Sequence, residues 1–124
     1  MIPRIFRKLF DHYGPQHWWP AATPFEVAVG AILTQSVSWA NVEKAIANLR
    51  REGLLEPQTI HAFADSSRGE ERLGELIRPS GYFRVKARKL LSFSGHLQAR
   101  HGGSLDRLFA APTGALRAEI LGIW

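Results

Sequence analysis

Ile2, Phe6, Leu9, Phe10 and Tyr13 recur at the three- and four-residue spacing of one helix face, and Pro3 suits a first helical turn. This pattern predicts a short helix ending near Gly14. The proline-bracketed segment PQHWWPAA reads as a loop carrying two tryptophans. Thr23-Pro24-Phe25-Glu26 has capping-box spacing with proline at the first helical position. The helix it opens, over about 24–34, is apolar on nearly every side and is therefore expected at the centre of the fold. Ser38 suits the N-cap of a helix over about 39–51, with Trp39, Val42, Ile46 and Leu49 in one stripe and Gly53 as its stop. Pro57 opens a short helix through Phe63. Leu73, Leu76 and Ile77 mark another, which Pro79 ends. After a Ser80-Gly81 turn, a long helix is predicted over about 82–100, with Phe83, Ala87, Leu90, Leu91 and Leu97 facing inward. His101-Gly102-Gly103 terminates it. Leu105, Leu108 and Phe109 give a further turn or two, and Thr113 is placed to cap a last helix bearing Leu116, Ile120 and Leu121. No strand-like alternation competes. The expected fold class is all-α, about seven short helices, in a single domain.

Composition narrows the function without assigning it. The 124 residues are 45% hydrophobic and 22% charged, which supports a buried core. A net charge of +5 favours a polyanionic partner. The absence of cysteine excludes disulfides, thiolate metal sites and a Cys-ligated cluster within this chain. No apolar run approaches the roughly 20 residues of a membrane span, and no signal peptide is visible, so a soluble, cytoplasmic protein is expected.

Two constellations carry chemistry. From Gly81 to His101 the predicted long helix holds Arg84, Lys86, Arg88, Lys89 and Arg100 with no acidic residue. That is either a solvated helix face or a phosphate-facing one. The preceding Arg78-Pro79-Ser80-Gly81 turn would present backbone N–H groups at a helix N-terminus, a favourable place for a phosphate. Trp18, Trp19 and Trp39 serve either as core plugs or as platforms on which a flat base stacks, each stack being worth about 1–3 kcal/mol. Gln35, at the end of the apolar helix, either satisfies backbone groups or fills the gap left when a base leaves a duplex. The five histidines, His12, His17, His61, His96 and His101, show no metal-ligand spacing, and no metal site is expected. Asp11, Glu26, Glu43 and Asp65 are scattered, and no catalytic carboxylate pair emerges among them. No hydrolase elbow, dinucleotide fingerprint or P-loop is present.

Two blocks, WWPAATPFEVAVGAILTQSVSWANVEKAIANL and LIRPSGYFRVKARKL, resemble the endonuclease III-like DNA glycosylases of the helix-hairpin-helix superfamily. The resemblance runs from about His17 to the last residue. It is nearest the branch carrying W-W-P, L-T-Q-x-x-x-W and R-P-S-G-Y-x-x-x-K-A, whose members act on alkylated purines and mismatched thymine. It implies an all-α fold that binds damaged or mismatched double-stranded DNA, flips out a base and cuts its N-glycosidic bond. Gln35 matches the duplex-filling glutamine and Tyr82 the wedge after the turn. Trp18, Trp19, Pro20 and Trp39 match positions lining the base pocket, and Lys86 matches a lysine on the following helix. With the charge pattern, the expected DNA-binding set is Gln35, Ser80, Gly81, Tyr82, Arg84, Lys86, Arg88 and Lys89. The family's hairpin reads roughly L-x-x-I-x-G-I-G-x-x-T-A, whereas this chain ends in LRAEILGIW. Residues 1–124 are thus expected to be the N-terminal part of a glycosylase domain, truncated before the hairpin. The catalytic aspartate or lysine, and any iron–sulfur cysteines, would lie beyond Trp124, so no catalytic residue and no cofactor is expected within this chain. A nucleoid-associated location, and self-association through an exposed C-terminal helix face, follow from that reading. A non-enzymatic helical DNA-binding module and a helical protein-interaction domain remain as alternatives.

Overall fold

The computed structural model describes residues 1–124 and is entirely helical. Its eight α-helices are α1 (Ile2–Tyr13), α2 (Pro24–Leu33), α3 (Trp39–Arg51), α4 (Pro57–His61), α5 (Gly69–Leu76), α6 (Phe83–His101), α7 (Leu105–Phe109) and α8 (Thr113–Leu121). Single 3₁₀ turns follow α4 (Ala62–Asp65) and α5 (Arg78–Ser80). The all-α expectation holds, with eight helices where about seven were read.

The helices start and stop for the reasons the sequence suggests, with small changes. The Thr23 hydroxyl accepts the Glu26 N–H at 3.1 Å. The Glu26 carboxylate returns to the Ala22 N–H, also at 3.1 Å, one residue earlier than a capping box requires. Ser38 is the N-cap of α3 by position only, since its side chain accepts no bond. The last helix is capped by Pro112, not Thr113, which is already its first helical residue.

Packing centres on α6, which lies mainly against α4 and α5 and also meets α2 and α7. Val29 and Leu33 of α2, Val42 and Leu49 of α3 and Leu90 and Leu97 of α6 are fully buried within one cluster that also takes in Leu73, Ile77 and Leu108. Burying each such side chain stabilises the fold by about 1.5–3 kcal/mol. The two ends of the chain contribute little to this core. The α1 stripe forms as predicted, yet none of its residues is buried, and Phe6 and Phe10 stack on each other at 5.7 Å. None of α8 is buried either; Leu116 touches the core and Leu121 stays exposed.

Candidate functional site

One buried lysine organises the surface between α2 and α6. Lys86 sits on the first turns of α6 with its side chain only 2% exposed. Its ammonium donates to the carbonyl oxygens of Leu33 (2.8 Å), Gln35 (2.9 Å) and Ser80 (2.5 Å). An ammonium has three N–H donors, and all three are used here. Burial, with the charge of Lys89 adding to it, pushes the Lys86 pKa below the ordinary lysine range. Two separate segments, the end of α2 and the turn before α6, are thereby pinned to one atom.

That pin sets Gln35 and Tyr82 on the same edge of the molecule. Both side chains are exposed, Tyr82 at 73%. Tyr82 adopts a left-handed conformation (φ 44°, ψ 36°) directly after Gly81 at φ 66°. Left-handed φ is uncommon for a residue with a Cβ and costs of order 1–3 kcal/mol unless its surroundings enforce it. The only other non-glycine residues with positive φ are His17 and Ser36. The three strained positions thus adjoin Trp18, Gln35 and the Ser80-Gly81 turn, a coincidence that sequence patterning had no means to disclose. Beyond Tyr82, the N–H groups of Phe83, Arg84 and Val85 have no backbone acceptor, because the fourth, that of Lys86, makes the first bond of the helix.

Trp18, Trp19, Pro20 and Trp39 come together around a cleft of about 240 Å³ that Thr34 completes. Trp19 packs edge-on between Trp18 (centroids 5.2 Å apart) and Trp39 (5.5 Å). Trp18 lies open at 75% exposure, whereas Trp19 and Trp39 are half-buried. The indole of Trp19 lies on Gly30, where a Cβ would stand 3.3 Å from the ring. A glycine in mid-helix therefore makes room for the aromatic cluster. The Trp19 N–H is buried without an acceptor. Thr34 is a lining residue that the sequence reading missed; its hydroxyl bonds back to the Gly30 carbonyl. No carboxylate lines the cleft. Glu26, in the adjoining depression, is buried and committed to the Ala22 N–H and the Arg50 guanidinium.

The basic residues of α6 do not form one face. Lys86 is corrected: with its donors spent on three carbonyls, it has none left for a phosphate. Ser80 is corrected likewise, because it is fully buried and its hydroxyl donates to the Ile77 carbonyl at 2.6 Å. The Ser80 and Gly81 N–H groups close the 3₁₀ turn on Ile77 and Arg78, so the free donors at this helix start lie one step later than expected. Lys89 stands beside Gln35, donating to its side-chain oxygen at 3.1 Å. Arg84 and Arg88 lie on the side facing α5. Arg88 pairs with Glu70 at 3.1 Å, and Arg84 lines a groove of about 700 Å³ with Arg68, Glu70, Glu71 and Glu75. This is a larger concavity than the tryptophan cleft, but its charges neutralise one another: Arg68 holds Glu71 at 3.0 Å, and each ionises more readily for it.

Two histidines that stand five residues apart in the sequence meet in the fold. His96 and His101 of α6 both direct Nε2 at Glu119 Oε1 of α8, at 2.6 and 2.5 Å. These hydrogen bonds, from His101 first and then His96, hold the Glu119 carboxyl below its usual pKa. With no cysteine, residues 1–124 offer no thiolate to an iron–sulfur cluster. No helix is long and apolar enough to cross a membrane.

The profile of the HhH-GPD superfamily of base excision DNA repair proteins matches residues 29–119, a span holding Gln35, Trp39, Tyr82 and Lys86. The chain belongs to this superfamily. A Methanocaldococcus jannaschii protein named as a DNA repair glycosylase is 44% identical over 124 residues, covering 99% of this chain and 54% of the relative. Endonuclease III of Thermotoga maritima is 27% identical over 128 residues, covering 100% of this chain and 56% of its own length. Among solved structures, the H. pylori 3-methyladenine DNA glycosylase bound to 1,N6-ethenoadenine superposes with a TM-score of 0.70 at 28% identity, over 99% of this chain and 58% of that one. The chain thus spans somewhat more than half the length of the relatives it matches. The superfamily, the all-helical fold and the likeness to endonuclease III read from the two sequence blocks agree with these findings.

Proposed function

We propose that this chain is the lesion-engaging part of a base-excision glycosylase that works on duplex DNA in the cytoplasm, at the nucleoid. The observation that carries the proposal is the edge built on Lys86. Gln35 and the strained, exposed Tyr82 project from segments tied to one ammonium, beside an aromatic cleft. In this reading Gln35 enters the duplex and Tyr82 wedges the stack. The extruded base then sits among Trp18, Trp19, Pro20 and Trp39. Flipping costs a few kcal/mol of pairing and stacking, which inserted side chains offset in part. The free N–H groups at the start of α6, Gly81 beside them and Lys89 hold the backbone phosphates. Arg84 and Arg88 act at most at the margin, because their side of the helix faces acids.

An aromatic cleft without a charged wall suits a flat purine, and a cationic alkylated purine most of all, through stacking and cation–π attraction. The ligand named for the H. pylori relative, an adenine derivative, is of that shape. Cleavage of the glycosidic bond needs a carboxylate to stabilise an oxocarbenium-like state or activate water. No carboxylate lines the cleft, and in the adjoining depression Glu26 is spent on Ala22 and Arg50 while Glu43 lies exposed on the outer surface; in our reading that group comes from outside residues 1–124. Any self-association falls on the α8 face, where Leu121 is exposed.

The test compares Gln35→Ala and Tyr82→Ala in the protein expressed in full, binding duplexes with and without an abasic-site analogue. Each variant should lose at least tenfold in affinity for the lesion duplex and little for the intact one. Equal losses on the two duplexes would remove the wedge assignment and favour a general duplex-binding module.

A further inference from the structure

We propose that His96, His101 and Glu119 form a site for one divalent transition-metal ion of the zinc class, which fastens α8 to the end of α6. The donor atoms of the three side chains all lie within 4.8 Å of one another. The imidazole centroids of His96 and His101 are 5.8 Å apart. The three side chains are 16–20% exposed, sheltered but reachable from solvent.

Sequence spacing conceals this group. Residues five apart are turned about 140° from each other around a regular helix, and a carboxylate 18 residues further on has no fixed relation to them. The fold brings them together because α7 reverses the chain and lays α8 against the end of α6. Glu119 then makes the only side-chain hydrogen bonds and ion pairs of α8, a helix with no buried residue and no side-chain cap.

The donor set indicates the ion. Two neutral imidazole nitrogens and one carboxylate oxygen suit zinc and its neighbours, whereas calcium and magnesium prefer oxygen alone. Metal–ligand bonds of about 2.0–2.2 Å need donor atoms roughly 3.4 Å apart. The trio must therefore open by about 1 Å around an ion, a small rotamer adjustment for half-buried side chains. Two imidazoles converge on a single oxygen, and the Glu119 Oε2 atom and both Nδ1 atoms have no protein partner. A cation at the point of convergence would use both nitrogen lone pairs and the carboxylate charge, and would leave a fourth position for water. The site lies about 15–22 Å along α6 from Lys86 at 1.5 Å per residue, so the ion is structural and takes no part in base recognition.

The experiment uses the untagged protein expressed in full, stripped with chelator and dialysed into metal-free buffer. Cobalt(II) is titrated as a visible-absorption probe and zinc by calorimetry, with thermal unfolding followed in parallel. The expected result is one ion per chain with micromolar or tighter affinity. Saturating zinc should raise Tm by several degrees and slow proteolysis of α8. His101→Ala and Glu119→Gln should each weaken binding at least tenfold and abolish the Tm shift, while His61→Ala leaves both intact. If His101→Ala loses its helical circular dichroism, Glu119→Gln, which keeps the size and shape of the side chain, carries the comparison. Absence of binding below millimolar zinc, or binding unchanged in Glu119→Gln, would overturn the site.

Discussion

Lys86 and Gln35 are joined through the backbone: the buried ammonium donates to the Gln35 carbonyl oxygen at 2.9 Å, across 51 residues of sequence. The same ammonium holds Ser80, two residues before Tyr82. A lysine in a basic helix thus acts as an internal strut that sets the distance between two surface turns. Its role in the proposed recognition is to position, and contact with DNA falls to its neighbours.

Lys86→Met keeps the stem and removes the donor, leaving three carbonyl groups short of a partner. An unsatisfied buried polar group costs about 1–3 kcal/mol, partly recovered by relaxation and water entry. The expected loss in unfolding free energy is about 3 kcal/mol by urea denaturation. Lys89→Met, at the half-buried neighbour bonded to the Gln35 side chain, should stay within about 0.5 kcal/mol. A Lys86→Met loss no larger than that of Lys89→Met would contradict the strut.

Alkaline pH reads the same residue. Burial lowers the Lys86 pKa in the folded chain from an ordinary value near 10.5. Between the lowered value and 10.5 the folded chain has released a proton that the unfolded chain still holds. Unfolding then takes up a proton, and the stability contributed by Lys86 rises with pH across that window. Below the window the lysine is charged in both states and its contribution is level. Wild type should therefore gain on Lys86→Met as pH climbs from neutral towards 10.5. A flat difference in paired urea titrations would show that the three carbonyls cancel the desolvation.

Most of the fold was legible in the sequence, because apolar spacing and chain breakers act locally. Val29 and Leu33, or Leu90 and Leu97, declare their faces through periodicity, and Gly53 and Gly102 end helices by their own backbone freedom. The tryptophan cluster was legible through family likeness. What stayed hidden depends on contacts between distant segments. Charge counting placed Lys86 with Arg84, Arg88 and Lys89, and only packing separates a lysine buried under three carbonyls from one beside Gln35 and an arginine paired with Glu70. His96, His101 and Glu119 escaped for the same reason, since their meeting depends on where α7 sends α8.

That separation bears on salt dependence. Removing one cation that neutralises a phosphate should lower the slope of log K against log salt by about one unit. Lys89→Ala should do so, since Lys89 adjoins Gln35. Arg88→Ala should leave the slope unchanged, because Glu70 of α5 already neutralises the guanidinium. Binding to a short duplex across a salt series, by fluorescence anisotropy, checks both. Equal reductions would mean that DNA reaches across both sides of α6.

Gly30 offers a way to disturb the aromatic cleft from beneath. A Cβ there would lie 3.3 Å from Trp19 Cζ2 and 3.4 Å from its Nε1, so the indole must yield by a few tenths of an ångström. Trp39 packs edge-on to the same indole at 5.5 Å between centroids, so a shift of Trp19 alters a cleft of only about 240 Å³. Replacing a helical glycine with alanine otherwise stabilises by about 0.4–1 kcal/mol through the unfolded state. At Gly114 of α8, where an added Cβ meets nothing within 4 Å, Gly114→Ala should show that gain and leave tryptophan fluorescence unchanged. In Gly30→Ala the steric cost should cancel the gain, leaving stability within about 1 kcal/mol of wild type. The near-ultraviolet circular dichroism should change nonetheless, and quenching of tryptophan emission by free 3-methyladenine should weaken several-fold. A quenching curve superimposable on that of wild type would show that Trp19 packs against Gly30 for stability alone and forms no wall of a base pocket.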